Sequence, residues 1–239
     1  MKRLIFFLLV VFVFLASCKK DQVPVQQCRI ITAVYSNGSN SIVYNISYNS
    51  EGLPSLITVG DMSITVSYFG SLVLSVTRDA SGVISRDSIT RDDMGNLINI
   101  KRVINTSGTN WSNQKLFYDG NNNLLKEIET FSWSAFPNTT IYTVINGDII
   151  TESAIGYTNN YSYYTDKSYR KGDYNWWGSL VIYGVEGYKQ NAHLLKSISQ
   201  SGGSNLLLSY EINEKGNIDR VTGVGTYSSF SLTYQYECD

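Results

Sequence analysis

Tyr118-Asp119-Gly120-Asn121-Asn122-Asn123-Leu124-Leu125-Lys126-Glu127-Ile128 sets one aromatic residue before a run of turn formers and an apolar pair after it. An Asp or Asn here bonds its own backbone two residues on, and Gly or Asn takes the positive φ that closes the turn. The stretch therefore predicts a strand, a tight turn and the next strand. Tyr48-Asn49-Ser50-Glu51-Gly52-Leu53-Pro54, Asp92-Asp93-Met94-Gly95-Asn96-Leu97 and Asn213-Glu214-Lys215-Gly216-Asn217-Ile218 repeat its order. Tyr188-Lys189-Gln190-Asn191-Ala192-His193-Leu194-Leu195 matches it almost position for position, and Asp79-Ala80-Ser81-Gly82-Val83-Ile84 is a weaker copy. Their irregular spacing describes a hairpin module reused within one sheet rather than a strict solenoid.

Between the turns the sequence alternates with period two. Ser63-Ile64-Thr65-Val66-Ser67-Tyr68 places Ile, Val and Tyr on one face and small hydroxyl residues on the other. Phe230-Ser231-Leu232-Thr233-Tyr234-Gln235-Tyr236 does the same. No segment carries a 3.6-residue period, so almost no helix is expected beyond the N-terminal apolar run. The fold class that follows is all-β: a single antiparallel meander of about 14–16 short strands. Closing that many strands into a round barrel leaves a lumen too wide for side chains to fill, which predicts a flattened or partly open barrel. The inverse arrangement, apolar outside and hydroxyls inside, would be a transmembrane barrel. Spanning needs strands of about 9–11 residues, whereas most here read as about five to eight.

The chain opens with Lys2 and Arg3, a 13-residue uncharged run from Leu4 to Ala16, and Leu15-Ala16-Ser17-Cys18. The run is too short to span a bilayer as a helix and fits a signal peptide. Leu15–Cys18 resembles the lipobox of bacterial lipoproteins. That resemblance implies cleavage after residue 17, a diacylglycerol on the Cys18 thiol, a tether over 18–27 and a β domain over 28–239. The turn module is similar to the YD-type repeats of large bacterial surface and toxin proteins. Together with the lipobox and the closing Tyr-x-Tyr-Glu-Cys, it resembles a Bacteroidota lipoprotein family of unknown function with a porin-like β fold. The resemblance implies a lipid-anchored protein of the cell envelope, at the outer membrane, and it brings no catalytic residues. Lys19-Lys20-Asp21 departs from the acidic cluster that accompanies surface display, so no side of that membrane is assigned.

Removing residues 1–17 takes away two basic and no acidic residues, leaving 17 Lys plus Arg against 20 Asp plus Glu. Such a balance excludes nucleic acid as a partner, because phosphate binding needs clustered positive charge. With Cys18 assigned to lipid, Cys28 and Cys238 remain as a pair in an oxidising context, which favours a disulfide between the first and last strands. Two free buried thiols or a metal site are the alternatives, and a single His makes zinc improbable.

His193 is the one histidine and falls in a turn slot of the repeat, so no Ser-His-Asp or Cys-His catalysis is assigned. Asp119, Asn121 and Asn123 have the alternating oxygens that open a calcium loop, but Leu124 and Thr130 stand where Gly and Glu are needed. The acidic residues sit mainly in turns, and no pair is marked as facing across a cleft. The expectation is a protein that is not an enzyme and holds neither cofactor nor metal. Residues 157–188 concentrate aromatics, including Trp176-Trp177, around a stretch at 165–175 that reads as the longest loop. Tyr169, Tyr174, Trp176 and Trp177 are the candidate contacts for a glycan or an envelope protein. The same rings could instead fill a core, leaving a structural or assembly accessory of an outer-membrane complex.

Overall fold

The computed structural model describes residues 28–38, 40–186, 191–226 and 229–238. Cys18, the signal peptide and the 18–27 tether lie outside them, as does the Tyr188–Gln190 part of the fourth turn copy. Sixteen strands form one antiparallel sheet. In chain order they are β1 (Cys28–Asn37), β2 (Asn40–Tyr48), β3 (Pro54–Val59), β4 (Met62–Phe69), β5 (Leu72–Asp79) and β6 (Gly82–Arg91). Next come β7 (Leu97–Val103), β8 (Trp111–Tyr118), β9 (Leu124–Phe131), β10 (Ser134–Ile145), β11 (Asp148–Ala154) and β12 (Tyr157–Ser168). A helix, α1 (Tyr174–Tyr183), precedes β13 (His193–Gln200), β14 (Asn205–Ile212), β15 (Ile218–Gly225) and β16 (Ser229–Cys238). Each strand pairs with its sequence neighbours and β1 pairs with β16, so the barrel is closed rather than partly open. Strands run from six to twelve residues, longer than the five to eight expected from turn spacing.

Residues 30–236 form the barrel unit. The second unit holds both chain ends, and its described residues are Cys28, Arg29, Glu237 and Cys238. Within it Cys28 and Cys238 form a disulfide across 210 residues of sequence.

Antiparallel order puts every turn after an even-numbered strand at one end of the barrel, where β1 begins and β16 finishes. This is the near end, and the turns after odd-numbered strands make the far end. The repeated near-end turns work as their sequence predicts. Asp92 Oδ1 accepts from the backbone N–H of Met94 and Asn96, and Asp119 Oδ1 accepts from Asn121 and Asn123. Asn49 and Asn213 do the same for Leu53 and Asn217. Gly95 closes its turn at φ 86°, and Asn122 closes the equivalent one at φ 63°.

Tyrosines on the even strands, Tyr48 and Tyr118 of the module among them, have a role that composition alone does not reveal. Tyr48, Tyr68, Tyr118, Tyr163 and Tyr236 stand on even strands close to the near end. Their hydroxyls donate to the carbonyls of Ile30, Pro54, Leu97, Ile149 and Ile218 at 2.8, 3.0, 3.0, 2.8 and 2.6 Å. Each acceptor lies at the start of the preceding odd strand, so the hydroxyl fastens the open side of a two-strand hairpin.

Alternation sends Ile46, Ile64, Val66, Val73, Ile89, Ile100, Leu116 and Leu232 inward, all at most 8% exposed. Arg86, Lys101, Lys115, Lys196, Glu211 and Arg220 are exposed within strands, so the outer surface is no uninterrupted apolar band. The lumen is filled by α1. Trp177 meets the Tyr44 ring edge-on at 4.7 Å, Trp176 meets Tyr234 at 6.3 Å, and Tyr183 Oη donates to Gln114 Oε1 at 2.9 Å. Arg102, held by Asp87 at 2.7 Å, also donates to the Ile182 carbonyl at 2.6 Å. One helix therefore touches β2, β7, β8 and β16 at once, which only a position inside the barrel allows. Gly184 ends it at φ 70°, where a Cβ would lie 2.7 Å from Val66 Cγ2.

This helix corrects the reading of 165–175 as a loop leading into strand. Its sequence YNWWGSLVIY carries only Asn175 and Ser179 as small polar residues among apolar ones, so it lacks the charged face by which surface helices are recognised. The turn-starting slot of the fourth copy, Lys189, lies outside the described residues; Asn191, two positions on, accepts from Ile149 N–H at 3.0 Å, with Tyr163 Oη at the same distance from its amide oxygen.

Candidate aromatic cavity at the far end

Asp173 starts α1. Its Oδ1 accepts from Trp176 N–H at 2.7 Å, while the residue is fully buried. Burial pushes its carboxyl up to about 7. The raised value means that the folded state holds a proton that the unfolded chain has already released. Stability from this group is complete below about pH 4 and is lost as pH rises towards 7. Chemical denaturation across pH 4–7 is expected to give a steeper decline for wild type than for Asp173→Asn, which keeps the cap but cannot titrate. Equal slopes would remove the carboxyl from the account.

From that cap the helix crosses the lumen and floors a cavity of about 560 Å³ that opens at the far end. Tyr174, Asn175, Trp177 and Ile182 supply the floor, and Tyr35, Leu206, Phe230 and Leu232 supply walls. Tyr35 stacks on Phe230 at 5.7 Å and 23°, and Tyr174 lies 5.7 Å from the same ring at 30°. Gly223, the cross-strand partner of Phe230, makes this possible: a Cβ there would sit 2.2 Å from Phe230 Cε1. Polar groups at the rim are Ser204, Asn205 and Thr226, with Thr226 Oγ1 accepting from Asn205 N–H at 2.9 Å.

The candidate aromatic residues are thus divided. Tyr174 and Trp177 line the cavity. Trp176 does not; it is 3% exposed and packs on Tyr234. Tyr169 is also outside the cavity, packed against the core with its N–H donated to the Ala192 carbonyl at 2.9 Å. Alternation on a strand would have exposed one of Trp176 and Trp177. Adjacent residues on this helix are both covered instead, Trp176 against Tyr234 and Trp177 against Tyr44, and Trp177 is only 7% exposed. Tyr35 and Phe230 escaped notice because nothing local marks them; they meet through the pairing of β1 with β16.

A second, smaller cavity of about 180 Å³ lies across the far end on β9–β12. Glu127, Glu129 and Glu152 line it, with Tyr142 Oη donating to Glu127 at 3.1 Å and Tyr161 Oη donating to Glu152. Burial, and then the neighbouring Glu127, raise the Glu129 carboxyl. His193 Nδ1 lies 2.7 Å from Asp148 Oδ2, and its N–H donates to Asp148 Oδ1, so it is tied to the start of β11. Asp119 spends both carboxylate oxygens on its own turn, Oδ2 accepting from Asn123 Nδ2 at 2.9 Å. Among the described residues no group of three or more His, Cys, Asp or Glu side chains is placed to hold a metal ion.

The fold has solved counterparts. A porin-like protein from Bacteroides uniformis ATCC 8492 superposes with a TM-score of 0.63 at 12% identity, covering 87% of this chain and 98% of its own. A porin-like protein from Bacteroides vulgatus ATCC 8482 aligns over the same shares at 12% identity with a TM-score of 0.43. At this identity the first likeness establishes a shared porin-like β-barrel fold. No protein-family model matches the chain, and no curated protein matches it.

Proposed function

We propose that this chain is a non-catalytic, lipid-anchored protein of the cell envelope, at the outer membrane, that holds a glycan or a segment of a partner protein in the far-end aromatic cavity. One observation carries the binding role. The cavity is of ligand size, its aromatic walls are fixed by packing, and amide and hydroxyl groups stand at its mouth. The anchor rests on the lipobox-like Leu15–Cys18, and the envelope location on that motif. The fold shared with porin-like proteins agrees with it. With a helix across its lumen and charged residues on its outer face, the barrel reads as a receptor body rather than a pore.

The test uses the full chain in detergent micelles, screened on a glycan array and by pull-down beside a Tyr35→Ala/Tyr174→Ala variant. Both residues are partly exposed at the cavity, so the barrel is expected to stay folded by circular dichroism while binding falls at least about tenfold. Unchanged binding would remove the cavity from the proposal. The second reading is an assembly accessory without a ligand. The deep burial of Trp176 and Trp177 favours it, as do Trp133 and Ile155, exposed by 59 and 89% on far-end turns, and Phe136, exposed by 82% near the start of β10. An envelope protein captured equally by both variants, with no glycan bound, is the result that reading expects.

A further inference from the structure

The barrel interior keeps its charges away from the aromatic cavity. Asp87 and Arg102 pair beneath Tyr183, and Glu127, Glu129 and Glu152 gather on the β9–β11 side. Among the described residues, the aromatic cavity, about three times larger than the acidic one, is lined by no Asp, Glu, Lys, Arg or His. Its polar lining consists of Asn175, Ser179, Ser204, Asn205 and Thr226, all amides or hydroxyls. Amides and hydroxyls both donate and accept hydrogen bonds.

This combination selects a chemistry. An ionised ligand would give up hydration with no counter-charge in reach. A purely aliphatic ligand would leave the Asn175 and Asn205 amides unmatched, while Ser179 already donates to the Val185 carbonyl at 2.8 Å. A pyranose meets both demands, since its C–H face lies on an aromatic ring while its hydroxyls donate and accept around the edge. Resting on the binding role above, we infer that the ligand is an uncharged oligosaccharide whose last units enter end-on, with about two sugar rings filling the cavity. End-on entry follows from the floor: α1 blocks passage through the lumen, so a chain cannot thread past Tyr174 and Trp177. The Phe230 ring, held close to Gly223 with Tyr35 and Tyr174 beside it, belongs to walls that need no ordering on binding.

The experiment titrates the full chain in detergent with four sets of oligosaccharides: neutral, uronic-acid-containing, sulfated and free-amine. Asn175→Asp and Tyr35→Ala/Tyr174→Ala are measured in parallel. Asn175→Asp is nearly isosteric and puts a carboxylate in the first turn of α1, where the helix dipole favours it, so the thermal midpoint is expected to hold. Wild type should bind neutral chains and reject the charged sets, and Asn175→Asp should weaken neutral binding roughly tenfold. If Asn175→Asp fails to fold, Asn205→Asp on the exposed rim makes the same comparison. A preference for a charged set that is lost in the double Tyr variant would overturn the neutral-ligand inference and leave the binding role standing. No glycan bound by wild type would overturn both. Neutral binding that survives in every variant would place it outside this cavity and likewise overturn the inference.

Discussion

Trp176→Ala is expected to lower the free energy of unfolding by about 3–5 kcal/mol, the range for deleting a buried aromatic side chain. The residue is 3% exposed, lies on the helix inside the barrel, and packs against Tyr234 of β16. Removing the indole empties the centre of a closed sixteen-stranded sheet that has no other element to move inward. The surroundings are hydrogen-bonded strands, which collapse onto a void only slightly, so the value should fall in the upper part of that range. Urea denaturation measures it. Ile182→Ala on the same helix is the control, since Ile182 is 49% exposed and its truncation should cost below about 1 kcal/mol. Equal midpoints for the two variants would mean that the helix does not support the barrel.

Loss of the Cys28–Cys238 disulfide should rank beside it. The bond spans 210 residues, nearly the whole β domain, and on the loop-entropy model such a closure contributes about 5 kcal/mol as an upper bound. Cys28→Ser/Cys238→Ser and reduced wild type should unfold at the same, lower denaturant concentration, well below the oxidised protein. A difference under about 1 kcal/mol would show that the unfolded chain already keeps its ends close without the bond. Amide exchange supplies a second readout. Opening should begin at β1 and β16, whose pairing joins the segments furthest apart in sequence.

The sequence was most informative where structure is local. Period-two alternation identified an all-β meander, and the Asn49, Asp92, Asp119 and Asn213 turns form because each side chain bonds its own backbone. Cys28 and Cys238 were readable as a pair from their number and placement, and they are bonded. Long-range features were not readable in the same way. Closure depends on β1 meeting β16, and occupying the lumen depends on α1, whose mostly apolar sequence without charged residues gives no facing direction until strands pack on it. Asn191, at a variable position of the fourth turn copy, bonds to β11 and approaches β12, a long-range role that residue order does not reveal. The aromatic cavity draws on residues 35, 174 and 230, so two of the proposed contacts, Tyr174 and Trp177, fell into it while Tyr169 and Trp176 did not.

The tyrosine hydroxyls of β2, β4, β8, β12 and β16 carry an evolutionary consequence. Each fastens a hairpin to itself, first strand to second, so the hairpin brings its own turn and its own clasp. Duplicating or deleting one such unit changes the circumference by two strands and breaks no clasp elsewhere. A lineage built this way can resize its barrel by gene-segment duplication, and an even strand number is then inherited rather than selected.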